Sequence, residues 1–201
     1  MKHFVTILLF GSIWGFIEAT VGGAMHVIHI PFTGTIMASI GFAVLYAALK
    51  NGLKPSHLFA VSLVAASFKM LDIWLFSLPL FHMQVINPAT AIAMQGLAAA
   101  LILRKSTGLA PLASRMLFTA SLSMVTFNVI SLGIYGWPTH HTNDPMGAAL
   151  IQLPIMTIVA TMLSKGYDLI YGRINLSFNM RWQAATTALL IALTFLARAY
   201  I

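Results

Sequence analysis

The sequence contains no cysteine and very few charged residues. The absence of cysteine excludes disulfides, thiolate metal sites and a cysteine nucleophile. Charged residues make up 7% of the 201 residues, whereas a soluble domain needs about 25% to cover its surface. Hydrophobic residues make up 59%, and the mean hydropathy is +0.89. Because a protein in lipid has an apolar outer surface, the sequence predicts an all-α, polytopic transmembrane helical bundle.

Acidic residues are especially scarce, with 4 Asp and Glu against 11 Lys and Arg, so the net charge is +7. A basic chain can indicate a nucleic-acid partner, but such partners bind a dense run or stripe of bases. Here the bases lie at the ends of apolar segments instead. We therefore expect the lipid bilayer as a partner and no nucleic acid.

Seven apolar segments are separated by short connections that contain Pro, Gly or Asn. A membrane-spanning helix needs about 20 residues, so seven spans nearly use up the chain and leave one transmembrane domain over residues 1–201. A six-helix alternative makes segment 6 or 7 non-spanning and lays the stretch 164–181 partly along the membrane surface. Pro79 is expected to stop or kink the third helix before residue 81. The segments are roughly 4–28, 33–49, 57–81, 88–103, 115–136, 146–164 and 182–200.

The basic residues also predict the orientation of the chain. Lys and Arg flank the N-terminus and the connections between helices 2 and 3, 4 and 5, and 6 and 7, and the other three connections have none. Basic connections stay in the cytoplasm. We therefore expect an integral protein of a prokaryotic cytoplasmic (inner) membrane with a cytoplasmic N-terminus.

A weak internal repeat follows the polar residues Glu18, Asp72 and Asn128, which recur at a period of about 55 residues. Each is followed by histidine, proline, an apolar helix and a basic residue. This pattern predicts three helical hairpins plus a last helix. The alternative is that any membrane hairpin has basic inner ends and Pro-Gly turns.

Five of the seven histidines fall in or beside the three outward connections. Neutral imidazole is the commonest metal ligand in proteins, so a cluster at the outer mouth would bind Ni²⁺, Co²⁺, Zn²⁺ or copper. The alternatives are another small ligand at this mouth, or interfacial histidines that bind nothing. These predicted metal-binding and substrate-binding residues are His26, His29, His82, His140 and His141.

Glu18 and Asp72 lie inside predicted helices 1 and 3, where a charged side chain usually faces the bundle interior and pairs. Lys69 is a candidate partner for Asp72 on the same helix and for Glu18 across two helices. These two acids are the predicted polar floor or proton-linked switch of the substrate site, and Asn128 is a further predicted substrate-binding residue. The alternative is a structural ion pair that holds helices together. On a regular helix, one stripe would carry Glu18, Gly22, Met25 and His29.

Known catalytic signatures are missing from the sequence. It has no phosphate loop, no nucleophile elbow and no HExxH motif, so we predict that the chain is not an enzyme. An ATPase domain is also missing, so an ATP-driven role would need partner chains.

In outline the chain resembles the S components, the substrate-binding membrane subunits of energy-coupling factor transporters. The segment Met25-His26-Val27-Ile28-His29-Ile30-Pro31 is similar to the Met-His-Ile-Pro start of the cobalt and nickel members. In those members the N-terminal amino group helps to bind the metal; here the motif ends helix 1, so that contact does not carry over. The resemblance implies uptake of a small solute or divalent metal ion at the extracytoplasmic mouth. It also implies an ATPase and transmembrane coupling module as partner, with a homo-oligomer as the alternative.

Two other functions fit the same residues. Histidines on different helices can ligate a haem axially, which would make the chain a haem- or quinone-binding subunit of an electron-transfer complex. A non-catalytic membrane partner or assembly protein would need only interfacial histidines.

Overall fold

The structure, a computed structural model, describes residues 2–77, 79, 82–105, 108–135, 145–173 and 180–200. These residues form seven helices and no strand, which confirms the predicted all-α bundle. Helix α1 spans Lys2–Ile17 and continues through a π-helical turn, Glu18–Gly22, into a last turn, Gly23–Val27. The others are α2 Thr33–Lys50, α3 Leu58–Phe76, α4 Met83–Ile102, α5 Leu109–Tyr135, α6 Pro145–Arg173 and α7 Met180–Tyr200.

Six stretches of these helices are long and apolar enough to cross a membrane, so the chain is an integral membrane protein. Segments 6 and 7 both qualify, although the six-helix alternative made one of them non-spanning. The stretch in α3 is shorter, covering Pro55–Leu71 within the described residues. The six stretches are His3–Met25, Thr33–Lys50, Val85–Ile102, Leu109–Gly133, Ala149–Tyr171 and Met180–Ala197.

Helices α1 and α3 both end just before a residue in the left-handed conformation and a proline. Helix α3 stops at Phe76, where Ser77 has φ 51°, and this confirms the stop predicted from Pro79. Helix α1 stops at Val27, and His29 has φ 55° in the following turn. The residue before Pro31 is disfavoured in α conformation, which is one reason for the early stop. The predicted helical stripe therefore ends at Met25, and His29 is not on the helix.

Two helices are longer than predicted. Helix α4 starts at Met83 and includes Pro88 in its second turn, although we expected it to start at the proline. Helix α6 runs to Arg173, well past the predicted end at 164. Beyond residue 164, Asp168 of α6 has partners on α2 and Lys165 pairs with Asp168, as described below, so these charges do not have to leave the helix.

The helices pack as a closed bundle with α2 inside it. Helix α3 lies between α1 and α4, α4 packs on α5, α5 on α6, and α6 on α2, which also contacts α1 and α4. Helix α7 packs outside, mainly on α1. The side chains of Phe42, Leu45, Tyr46 and Ala48 on α2 are fully buried, which makes α2 the centre of the apolar core.

Helices α1 and α3 run in parallel, because contacts between them keep a nearly constant register. A Cβ at Gly11 would meet Val64, and the rings of His3 and His57 lie 5.2 Å apart. The first two hairpins therefore lie side by side in the same direction, as the predicted repeat requires.

The alternating helices give the bundle two distinct ends. The basic end carries the start of α1 together with Lys50, Lys54, Arg104, Lys105, Arg115 and Lys165. The histidine end carries the turn at 28–32, the end of α3 and the start of α4, with His29 and His82.

Candidate functional site

The candidate site begins where α1 departs from regular helical geometry. The π-helical turn Glu18–Gly22 adds a residue to the turn, and Glu18, Ala19 and Gly22 in it are buried. The Thr20 hydroxyl donates a hydrogen bond to the Phe16 carbonyl over 2.7 Å. Single π turns in α-helices frequently lie at functional sites. Here the turn holds an acidic side chain inside the bundle.

Glu18 pairs with Lys69 of α3 inside the bundle. The Lys69 Nζ lies 3.7 Å from Glu18 Oε1, and the two side chains are 7% and 11% exposed respectively. Glu18 is seven residues before Met25, so the pair lies about 10 Å from the histidine end at ~1.5 Å per residue. The structure thus pairs Lys69 with Glu18 across two helices. The side chain of Asp72, the other candidate partner of Lys69, lies outside the described residues.

One turn closer to the basic end, three helices meet around Gly41 of α2. A Cβ at Gly41 would lie 2.4 Å from Cζ2 of Trp14 and 2.9 Å from Oε1 of Gln95. Only a glycine allows the indole of α1 and the amide of α4 to approach α2 so closely. Trp14 and Gln95 are 0% and 6% exposed.

Several polar atoms of this region have no hydrogen-bond partner among the described residues. They are Nε1 of Trp14, Oε1 of Gln95 and Oγ of Ser12, all buried. Buried polar groups are normally hydrogen-bonded, and each exception calls for an explanation. These atoms lie on the helices that also carry or flank the ion pair.

Helix α2 supplies the wall nearest the ion pair. A Cβ at Gly22 would lie 3.4 Å from Glu18 Oε1 and 3.5 Å from Cε of Met37. The buried hydroxyls of Thr35 and Ser39 lie on the same helix, and Ser39 donates to the Thr35 carbonyl over 2.8 Å. Helices α2, α3 and α7 all pack against the π turn that holds Glu18.

The predicted site residues do not all reach this place. His29 is exposed in the turn after α1, and His82 is half-buried just before α4. Asn128 is exposed on α5, a helix that packs against α4 and α6. The side chains of His26 and Asp72, and the whole of His140 and His141, lie outside the described residues. Within the described part of the chain, no three His or acidic side chains are grouped to hold a metal ion.

A second charged group lies at the basic end, and it was not predicted. Asp168 of α6 accepts a hydrogen bond from the Tyr46 hydroxyl over 3.1 Å. Its carboxylate also lies 3.2 Å from Nζ of Lys50 and 3.6 Å from Nζ of Lys165. The spacing of Lys165 and Asp168 is visible in the sequence, but the two partners from α2 appear only through packing.

Neighbouring side chains extend this contact between α2 and α6. The Asn51 side-chain amide donates to the Ala47 carbonyl over 2.9 Å and also to the Tyr167 hydroxyl. The rings of Tyr167 and Tyr171 stack with centroids 5.5 Å apart. We call this group, with Tyr46, Lys50, Lys165 and Asp168, the basic-end network. It holds the ends of α2 and α6 together.

Comparison with known proteins identifies no relative of this chain. No protein-family model, no curated protein and no solved structure matches it. The resemblance to S components stays a prediction, and the functional argument depends on the site itself.

Proposed function

We propose that this integral membrane protein is the solute-capturing component of a transport system. A small polar organic solute binds in the bundle with the Glu18–Lys69 ion pair as the floor of its site. The observation that carries this proposal is the ion pair itself, buried beside a π turn in an apolar bundle. Ionisable residues inside membrane segments are costly, and they commonly mark substrate pathways.

The ion pair is poorly suited to a purely structural role. Removing two charges from water is expensive, and well-packed apolar side chains often stabilise a protein as much or more. The contact at 3.7 Å is also long, and no hydrogen bond from another described residue to Glu18 strengthens it. A solute that hydrogen-bonds both charges would supply the missing interactions.

The same geometry favours an organic solute over a bare metal ion. Lys69 neutralises the Glu18 carboxylate and would repel a cation approaching it. A divalent ion needs several oxygen or nitrogen ligands, and the described residues offer no group of three. Metal binding by the histidines depends on His26, His140 and His141, so the experiment below tests it separately.

Orientation supports capture from outside the cell. The positive-inside rule puts the basic end in the cytoplasm, and the histidine end then faces outward. The ion pair lies nearer the histidine end, within about 10 Å of it. This arrangement resembles the S components, so we expect a separate ATPase and coupling module to drive uptake.

Native mass spectrometry of the protein in lipid nanodiscs tests the proposal. After incubation with a deproteinised small-molecule extract of bacterial cells, the wild type should carry one small organic molecule. The double variant Glu18→Gln plus Lys69→Met should remain folded and lose it, whereas Asp168→Asn should keep it. A wild type without any bound organic molecule, or a double variant that keeps it, would reject the proposal.

Elemental analysis of the same preparations decides the metal alternative. The wild type would then contain a stoichiometric transition metal. If the variant His26→Ala plus His82→Ala loses this metal and the ion-pair double variant keeps it, the captured solute is a metal ion and not an organic molecule. We expect no stoichiometric metal.

A further inference from the structure

Trp14 and Gln95 form a second part of the interior that the ion pair does not explain. Both side chains are more than nine-tenths buried, and both have a polar atom with no hydrogen-bond partner in the described part of the chain. The indole N–H can only donate, and the Gln95 Oε1 can only accept. An unsatisfied buried donor on α1 and an unsatisfied buried acceptor on α4 therefore lie beside the same glycine of α2.

Both side chains pack closely against Gly41 of α2. Cε2 of Trp14, the carbon bonded to Nε1, is 2.6 Å from the Cβ position of Gly41, and Oε1 of Gln95 is 2.9 Å from it. Trp14 is one helical turn from Glu18, which is about 6 Å along α1. The unpaired groups and the ion pair thus lie about one helical turn apart, a distance that one small molecule can span.

Building on the proposed function, we infer that the solute presents an amide-like edge to Trp14 and Gln95. In such an edge, a hydrogen-bond acceptor stands next to a donor. The acceptor of the solute accepts a hydrogen bond from the Trp14 N–H, and its donor donates one to Gln95 Oε1. Lactams, 2-pyridones and nucleobase-like heterocycles have this edge. The polar remainder of the solute lies towards Glu18 and Lys69.

This pattern also predicts what the site rejects. A solute with two acceptors leaves Gln95 Oε1 unpaired, and a solute with a methylated nitrogen does the same and adds bulk. Sites built to hydrogen-bond a substrate discriminate strongly against analogues that lack the group, because the buried partner then stays unsatisfied.

Two matched probes test the inference by NMR: 2-pyridone, which has the edge, and N-methyl-2-pyridone, which lacks the donor. The protein is labelled with ¹⁵N-tryptophan in nanodiscs, and Trp14→Phe assigns the indole signal. We expect 2-pyridone to shift the Trp14 indole proton downfield and saturably, with at least about tenfold higher affinity than the N-methyl probe. The signal of Trp182, which is 69% exposed, should stay in place.

Gln95→Leu removes the acceptor at nearly constant volume. This variant should lose the preference for 2-pyridone, whereas Gln152→Leu on α6 should keep it. Equal affinity for the two probes, or a preference that survives in Gln95→Leu, would overturn the inference. So would a Trp14 signal that ignores both probes but moves upfield in Gln95→Leu, because Trp14 and Gln95 would then bond to each other.

The outcome is separable from that of the proposed function. If the probes fail while the ion-pair double variant still loses the bound organic molecule, the solute class is wrong and the capture function stands. If no organic molecule binds in any preparation, the inferred solute class and the proposed function are both wrong.

Discussion

Glu18 and Asp168 are both acids paired with lysine, but they lie in opposite surroundings. Glu18 and its partner Lys69 are almost fully buried, 3.7 Å apart. Asp168 is about one-fifth exposed at the basic end, where it contacts Lys50, Lys165 and the Tyr46 hydroxyl. Among the described residues, Glu18 has one long contact in an apolar interior, whereas Asp168 has three partners at the basic end.

The difference distinguishes a binding site from a structural contact between two helices. Three partners already satisfy the Asp168 carboxylate and tie α6 to α2, so the group has little left to offer a ligand. In the described part of the chain the Glu18 carboxylate forms only the long contact with Lys69, and the polar atoms of Trp14 and Gln95 one turn away have no hydrogen-bond partner. Unsatisfied polar groups cost stability, and ligand binding is a physical reason for a fold to contain them.

The largest effect should come from breaking the interior pair on one side. Lys69→Met leaves a buried carboxylate without its charge partner, so we expect a loss of about 3–5 kcal/mol in unfolding free energy. Adding Glu18→Gln should restore most of that loss. Denaturant unfolding of the detergent-solubilised protein measures both. If Lys69→Met costs no more than Asp168→Asn, the contrast between the two regions is wrong.

The next effect concerns two glycines, one in each region. Gly41→Ala puts a methyl group 2.4 Å from the Trp14 ring, and overpacking of this kind costs about 1–3 kcal/mol. Gly166, beside Lys165 on α6, has nothing within 4 Å of its Cβ position. Gly166→Ala should therefore be neutral or stabilise the helix by up to ~1 kcal/mol. Equal effects in the same unfolding assay would contradict the close packing at Gly41.

A smaller effect is expected from Asp168→Asn. Its ion pairs are partly exposed, and such pairs contribute about 1 kcal/mol or less. Salt screens exposed charges far more than buried ones. The cost of Asp168→Asn should thus shrink when NaCl is raised to about 0.5 M, while the cost of Lys69→Met should not. If the unfolding cost of Asp168→Asn does not change with salt, the basic-end network is effectively buried.

The smallest effect concerns the hydrogen bond between helix α7 and the start of α1, which lies about 18 Å along α1 from Glu18. The Thr6 hydroxyl donates to Gln183 Oε1 over 3.1 Å, and hydrogen bonds between membrane helices average about 0.6 kcal/mol. Thr6→Val should cost about that much and leave solute binding unchanged. A loss of solute binding in this variant would show that α7 belongs to the site.

Much of the fold could be predicted from the sequence, because hydropathy and helix breakers are local signals. The stop of α3 before Pro79 followed from the sequence. The start of α4 did not, because Pro88 was taken as a boundary. In the structure this proline lies in the second turn, where it removes one backbone hydrogen bond without ending the helix. The end of α6 was placed too early because the partners of Asp168 are on α2.

The candidate site could be predicted only in part. Glu18 was expected to face the interior, but the spacing along the sequence made Asp72 an equally good partner for Lys69. The π turn leaves no composition signal. Gly41 is one of 14 glycines, and only the packing of three helices shows that it brings Trp14 and Gln95 together. Contacts between distant helices depend on the register of whole helices, which single-residue patterns do not encode.

The most direct test of the account uses the absence of cysteine, which makes any single-cysteine variant uniquely reactive. Gly22→Cys places a thiol beside Glu18, since the Cβ position is 3.4 Å from Oε1. Lys54→Cys marks the basic end, and Leu189→Cys marks an exposed, lipid-facing position on α7.

A membrane-impermeant methanethiosulfonate is added to intact cells and to inverted vesicles. We predict that Gly22→Cys reacts in intact cells, Lys54→Cys reacts only in inverted vesicles, and Leu189→Cys reacts in neither. A Gly22→Cys thiol that is unreactive in intact cells, or reactive only from the basic end, would contradict an ion pair that forms the floor of an outward-facing site.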